Sequence, residues 1–458
     1  MKSIKNWIIE NSFYVFLVSM CVFGMFVYIS VASANVPIMD YWKYADGLIE
    51  KNYTGGISYI DLCSYNGVHK TPLQLLFFLL NVEIFNWNTQ ISMYFGIIVS
   101  CISLFLIYKM IAIYSCNKRS QLVSNITCTV ITFSLIPYEI ITQEFAFTAA
   151  IGILLFLLGA FLINKALHSL GNKYDKRAWI VVLYMFFVIN IFGGAFSVAF
   201  ALSILLIEGF DFSIKLINKI SFNKANYVII FVGIILSLFL YFNGIELGTG
   251  NSANDGVATF FIDLIKGAIL ICGTSLIGAY QSKNLIIVIG IIELMIHFIL
   301  FILYVKNKMY KKTYIPAIFY FYYGIVYGML FIGRTGQGVD YLMAPRYAKE
   351  AIFVVIADII VVNLAFELYI KNKKKFRIMQ YSFLVLIVMI TGCILEADIK
   401  EVHIASNRRI YCDNLITMME NIDNYSDDEL GVFQAGNPQR VRNGVNIMKK
   451  YNLGIFNK

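Results

Sequence analysis

Asp40, Asp46, Glu50, Asp61 and His69 fall within one short polar stretch, residues 35–70, of a chain otherwise dominated by long apolar runs. Carboxylates and imidazoles are costly in hydrocarbon, so this stretch is where titratable chemistry can gather. Asp40 lies just beyond the first apolar run, beside Tyr41 and Trp42. Held at a membrane surface, it could take a proton from an acceptor hydroxyl, with the aromatic pair lining a substrate groove. The plainer reading is a solvated acid in an interfacial loop anchored by Tyr and Trp. In NGVHK, Asn66 to Lys70, the last two residues precede a helix start marked by Thr71-Pro72. An imidazole, a cation and the positive end of a helix dipole together suit a phosphate, although both side chains could equally be solvated before an ordinary helix start.

A second group lies late in the chain, in GRTGQGVDYLMAPRY from Gly333 to Tyr347. Arg334 and Arg346 bracket a glycine-rich turn. Exported loops are poor in Arg, so the pair calls for an anionic partner, and guanidinium groups grip phosphate through two parallel hydrogen bonds. Snorkelling to lipid headgroups, or pairing with Asp340 or Glu350, would also account for them. No GK[ST] follows the glycines, which excludes a P-loop. Fainter signals are Glu139, Gln143 and Glu144 in YEIITQE, and Asp255 and Asp263, which could bind a divalent cation but lack a DxD pair. His297 follows Glu293 by four residues inside an apolar run and reads as a buried hydrogen-bonded pair rather than a ligand or proton relay.

The elements that must position these residues are set by composition. With 59% hydrophobic and 14% charged residues and a mean hydropathy of +0.71, the chain cannot cover a water-soluble particle. Unbroken apolar runs exclude a transmembrane barrel, whose strands alternate. The expected fold is an all-α polytopic membrane protein. Runs able to span cover 12–33, 91–114, 125–138, 145–163, 179–192, 195–210, 227–242, 285–305, 315–332, 351–370 and 381–395. Two more, 71–87 and 260–280, carry internal polar residues. If neither crosses, the basic loops CNKRSQ, NKALHSLGNKYDKR, DFSIKLINKISFNK, KNKMYKK and KNKKKFR share the cytoplasmic side with the amino terminus. That gives about eleven spans and two interfacial or re-entrant helices on the outer face. The net charge of +9 is then topology, and nucleic acid is excluded as a partner.

The polar tail, 397–458, is expected as a small helical extracytoplasmic domain beside a transmembrane domain, 1–396, whose outer loop 34–70 bears the catalytic group. Within the tail, Ile410, Leu415 and Met418 predict one amphipathic helix, and Asn437-Pro438 opens a second. The eight cysteines show no metal-like spacing, and only Cys63 and Cys412 fall in outer segments, where a pairing is permitted but not argued for.

The succession MDYW, NGVHK, GRTGQG…RY and a tail closing NP…VRNGVNIMKKYNLGIF resembles bacterial membrane glycosyltransferases of the GT-C class that act in surface-polysaccharide and O-antigen modification. The element expected there is closer to Asn-Glu-His-Arg, so this chain lacks the acid and has Lys70 in place of Arg. The resemblance implies inverting transfer of a sugar from a polyprenyl-phosphate donor to a glycan or lipid-linked acceptor, in the bacterial inner membrane and on its outer side. It implies no cofactor, with at most an assisting divalent cation. Asp40 would be the general base, and Arg334, Arg346, His69 and Lys70 the groups near the donor phosphate. Tyr41, Trp42, Glu139, Gln143, Glu144 and Tyr347 are the further groove candidates. The rival functions are an O-antigen-type polymerase and a lipid-linked oligosaccharide flippase, the latter expected to show inverted repeats and broken helices.

Overall fold

The structure is a computed structural model, and it describes residues 12–64, 69–169, 175–245, 257–369 and 373–457. Among these residues the regular structure is helical throughout. Residues 66–68 of NGVHK, and Asp255, lie outside the described residues. The main helices in chain order are α1 (Ser12–Ala32), α2 (Pro72–Phe85), α3 (Thr89–Tyr114), α4 (Lys118–Thr132), α5 (Phe145–Ser169), α6 (Arg177–Phe186), α7 (Ala195–Ile217) and α8 (Lys224–Phe242). They continue with α9 (Val257–Ile277), α10 (Lys283–Lys306), α11 (Ile315–Arg334), α12 (Ala351–Tyr369), α13 (Lys373–Glu420) and α14 (Pro438–Tyr451). Side-chain caps set several starts: Asn88, Asn117, Asn223, Ser282 and Asn437 each accept a backbone N–H from the first turn that follows.

Among the described residues, ten helical segments are long and apolar enough to cross a membrane. The chain is therefore a polytopic helical membrane protein. Its centre is α12, in which every residue from Ala351 to Phe366 is buried. A helix that is apolar all round belongs inside a bundle, and α1, with only a few buried residues, lies at the periphery.

One expected span is corrected here. The run 125–138 is the second half of α4 followed by a non-helical segment, because α4 stops at Thr132, shortly before Pro137. Most of the run 260–280 falls in Thr259–Ile277 of α9, which has the length and hydropathy of a membrane span. The boundary at 396 falls inside α13, a continuous helix of 48 residues.

At one end of the bundle sits a cap with its own apolar core. The first polar loop contributes Val36, Trp42 and Leu48, α2 adds Leu75, Phe78 and Val82, α13 adds Cys412, Leu415 and Met419, and α14 adds Val441, Val445 and Met448. The tail thus shares one core with residues 34–62 rather than building its own. The face of α13 turned inward is Cys412, Leu415 and Met419, while Ile410 is exposed. Asn437 caps α14, as expected, accepting from Gln439 N–H at 2.9 Å. Around the rim, Lys450 pairs with Glu50 at 2.8 Å and Asn443 donates to Asp46 at 2.8 Å. Cys63 and Cys412 are free thiols.

Candidate functional site

A cleft of about 540 Å³ opens where the cap meets the bundle. It is bounded by Ile38 and Met39 of the first loop, Tyr138, Glu139 and Gln143, Tyr280, and the stretch of α13 from Ile404 to Cys412. Each wall has a local cause. Tyr138 and Glu139 sit on a single helical turn, Tyr138–Ile141, that begins after Pro137. The segment before it is pinned to α13, because Asp398 Oδ1 accepts from Ser134 Oγ at 2.9 Å and Leu135 N–H at 2.7 Å. Tyr280 follows Gly278, whose φ of +73° reverses the chain after α9. Met39 adopts a left-handed φ of 62°, unusual for a side chain of this size, and its N–H is held by the Phe433 carbonyl at 2.9 Å.

The cleft's dominant charge is Arg408. Its guanidinium lies 3.3 Å from the centre of the Tyr138 ring, and Tyr138 in turn stacks on Tyr280 with centroids 5.7 Å apart and planes 19° apart. Glu401, buried, holds the guanidinium edge through two hydrogen bonds, from Nε and from Nη2, the latter at 2.9 Å. Glu401 also accepts the Tyr28 hydroxyl at 2.6 Å. The result is a guanidinium fixed along one edge and laid over an aromatic pair. Burial pushes the Tyr138 phenol up, with Arg408 partly offsetting the effect.

Arg346 stands behind the cleft wall and is tied to it through Glu139, its Nη1 donating to Glu139 Oε2 at 2.8 Å. Its guanidinium faces the rings of Tyr341 and Tyr347, each 5.1 Å away, and Nη2 donates to the Tyr341 hydroxyl. Arg334, exposed, also lies over Tyr341, at 5.9 Å. The two arginines expected as a pair are therefore gathered around one tyrosine ring. Glu139 and Gln143 line the cleft.

Other expected residues lie elsewhere. Asp40 is exposed at the start of the Tyr41–Tyr44 turn, one residue past Met39, and its side chain makes no capping bond. Tyr41 and Trp42, expected along a groove, are core residues of the cap, because the apolar faces of α2, α13 and α14 close over them. Glu144 is buried beneath the cap, accepting the Trp87 indole N–H at 3.1 Å. Burial lifts its carboxyl to about 8. Lys70 donates its ammonium to the carbonyls of Leu240 (2.9 Å) and Asn243 (2.5 Å), satisfying the end of α8. His69 is exposed beside it and is not part of the cleft lining. Tyr347 is buried under the Arg346 guanidinium.

Arg408, Glu401, Tyr138 and Tyr280 were not singled out from the sequence. The signal available was the Arg408-Arg409 pair in a tail placed on the same side as Arg334 and Arg346. His297 and Glu293 do meet, with Nε2 3.3 Å from Oε1, but the shorter contact is to Asp358 of α12, at 2.6 Å from Nδ1. Compared with known proteins, the chain matches no protein-family model and no curated sequence.

Proposed function

We propose that this chain is a membrane glycosyltransferase, taking a sugar from a polyprenyl-phosphate donor in the cleft between cap and bundle. The observation that carries this reading is Arg408 held by Glu401 and laid on the Tyr138–Tyr280 stack. Fixed cations suit a phosphate, and an aromatic face suits a sugar ring, both at the level where a lipid tail could remain among apolar helices. Arg408 and Arg346 hold the phosphate. The acceptor hydroxyl attacks the anomeric carbon, the bond from that carbon to the phosphate oxygen breaks, and polyprenyl phosphate leaves with the bonding pair. The hydroxyl proton goes to a carboxylate. Glu139 is the better placed of the two candidates, since it lines the cleft while Asp40 stands one residue beyond its wall.

The sidedness belongs to the same proposal. Lys70 of the cap segment bonds to the end of α8, and Tyr280, after α9, stacks on Tyr138 at the cap end. The chain thus leaves α8 and enters α10 at one end, which supports α9 as a re-entrant helix and eleven crossings by the other bundle helices. The basic loops then gather at the end away from the cap, on the cytoplasmic side of a bacterial inner membrane.

The test is transfer in membranes supplied with polyprenyl-phosphate sugars, read as product mass. Glu139→Gln is expected to lower transfer by about 10²–10⁴-fold, and Asp40→Asn by less than tenfold. Undiminished transfer in Glu139→Gln together with a large loss in Asp40→Asn would move the base to the first loop. No product from the wild-type protein with any such donor would end the transferase reading.

A further inference from the structure

Inside the bundle, away from the cleft, Cys272 of α9 and Glu293 and His297 of α10 bring one sulfur, one carboxylate oxygen and one ring nitrogen within 4.8 Å of one another. All three are buried. The approach is enforced by two glycines. A Cβ on Gly273 would stand 2.0 Å from the Ile286 carbonyl oxygen, and one on Gly290 would stand 1.9 Å from that of Ile269. The backbones of α9 and α10 therefore touch at these points, and the side chains beside the contact converge.

The ring orientation is set from the third helix. His297 Nδ1 is 2.6 Å from Asp358 Oδ2, and Asp358 Oδ1 accepts the Tyr320 hydroxyl at 2.5 Å. A proton on Nδ1, donated to Asp358, leaves the lone pair of Nε2 facing Glu293. Nε2 and Glu293 Oε2 have no hydrogen-bond partner, although His297 is only 7% exposed and Glu293 4%. Two unsatisfied acceptors and a thiol facing one another in hydrocarbon make an arrangement that a cation would satisfy. A carboxylate that fixes the far nitrogen of a metal-binding histidine is a general second support for such sites.

We propose that Cys272, Glu293 and His297 bind one zinc-class divalent cation, with Asp358 positioning the imidazole. Thiolate, imidazole and carboxylate together suit zinc rather than magnesium or calcium, which take oxygen ligands. Thiolate and carboxylate cancel the ion's two charges, and the remaining buried charge, on Asp358, is held by the imidazole N–H and the Tyr320 hydroxyl. A cavity of about 30 Å³ adjoins Glu293, His297 and Asp358 but is not lined by Cys272, and it is otherwise apolar. The ion clamps α9 to α10 and so fixes the helix that carries Tyr280 toward the cleft. This is independent of the reaction proposed above. The rival arrangement is metal-free, with His297 doubly protonated between Glu293 and Asp358.

The experiment uses the full chain purified in detergent, stripped with a chelator and reloaded with Zn²⁺ or Co²⁺ alone. The wild type is expected to retain one ion per chain after desalting, and its cobalt form to show a thiolate-to-cobalt charge-transfer band. Cys272→Ser, a near-isosteric change, should abolish that band while the protein remains folded by circular dichroism and size exclusion. Asp358→Asn should weaken binding by about 10–100-fold without removing the band. If wild type retains no ion, or if the band survives in Cys272→Ser, the site is not a metal site. Those measurements on the wild type decide the matter even should a variant fail to fold.

Discussion

At the scale of single residues, the two carboxylates of YEIITQE show how far context separates neighbours. Glu139 meets Arg346 at the cleft, whereas Glu144, five residues on, is sealed under Trp87 and carries a carboxyl lifted to about 8 from an ordinary 4.5. The folded protein therefore holds a proton there that the unfolded chain has already released, across the window from about pH 4.5 to about pH 8. Stability from this group is fully present below the window and is lost as pH rises through it. Glu144→Gln, which keeps an acceptor for the Trp87 indole, is expected to match the wild type within about 1 kcal/mol at pH 5, because both side chains are then neutral. It should become relatively more stable, by on the order of a few kcal/mol, at pH 8.5. Denaturation midpoints in detergent across this pH range would check it; parallel pH slopes for the two proteins would remove Glu144 as the cause. The sequence marked Glu144 as an acid near the mouth, but no local pattern could tell that Trp87 lies over it.

At the scale of elements, chain reversals at the cap end are set by glycine geometry. Gly193 has φ of +74°, and a Cβ there would lie 1.9 Å from the Lys70 carbonyl oxygen, the same oxygen that accepts the Gly194 N–H at 2.9 Å. The contact locks the turn between α6 and α7 to the start of α2. Gly193→Ala is expected to cost several kcal/mol, since both the backbone conformation and the contact resist it. Gly324→Ala, in α11 with nothing within 4 Å of the added atom, is expected to be neutral or to stabilise by up to about 1 kcal/mol. Thermal unfolding of the two purified variants distinguishes them; equal midpoints would show that the Gly193 contact carries no weight. A Gly-Gly pair such as Gly193-Gly194 marks a turn in any sequence. Its partner, Lys70, was read instead as a phosphate ligand, because a lysine before a helix start has the same sequence signature whether its ammonium meets an anion or the carbonyl end of another helix.

At the scale of the whole molecule, the tail and the first polar loop are one structure. Trp42 lies 2.8 Å from where a Cβ on Gly444 would be, and Phe433 packs edge-on to Trp42 at 5.3 Å. Removing residues 397–458 is therefore expected to leave a protein that still inserts in membranes but whose loop 41–53 is cut rapidly by protease, while the full chain resists. Equal resistance in both would mean that the first loop folds without the tail, contrary to the shared core.

Composition and run length were enough to establish a polytopic helical membrane protein, because the backbone in hydrocarbon must satisfy its own hydrogen bonds and only helices of sufficient length do so from a continuous apolar run. Local chemistry also gave the Asn437 cap of α14, since an N-cap bond depends on residues within one turn. Tertiary structure alone decided which titratable side chains share a site. Arg408 and Tyr138 are 270 positions apart in the chain, and Cys272 meets Glu293 only because Gly273 and Gly290 let two helices touch. Hydropathy records how much of a helix is apolar, whereas the meeting of polar groups depends on rotation, depth and backbone approach between helices, which no single segment encodes.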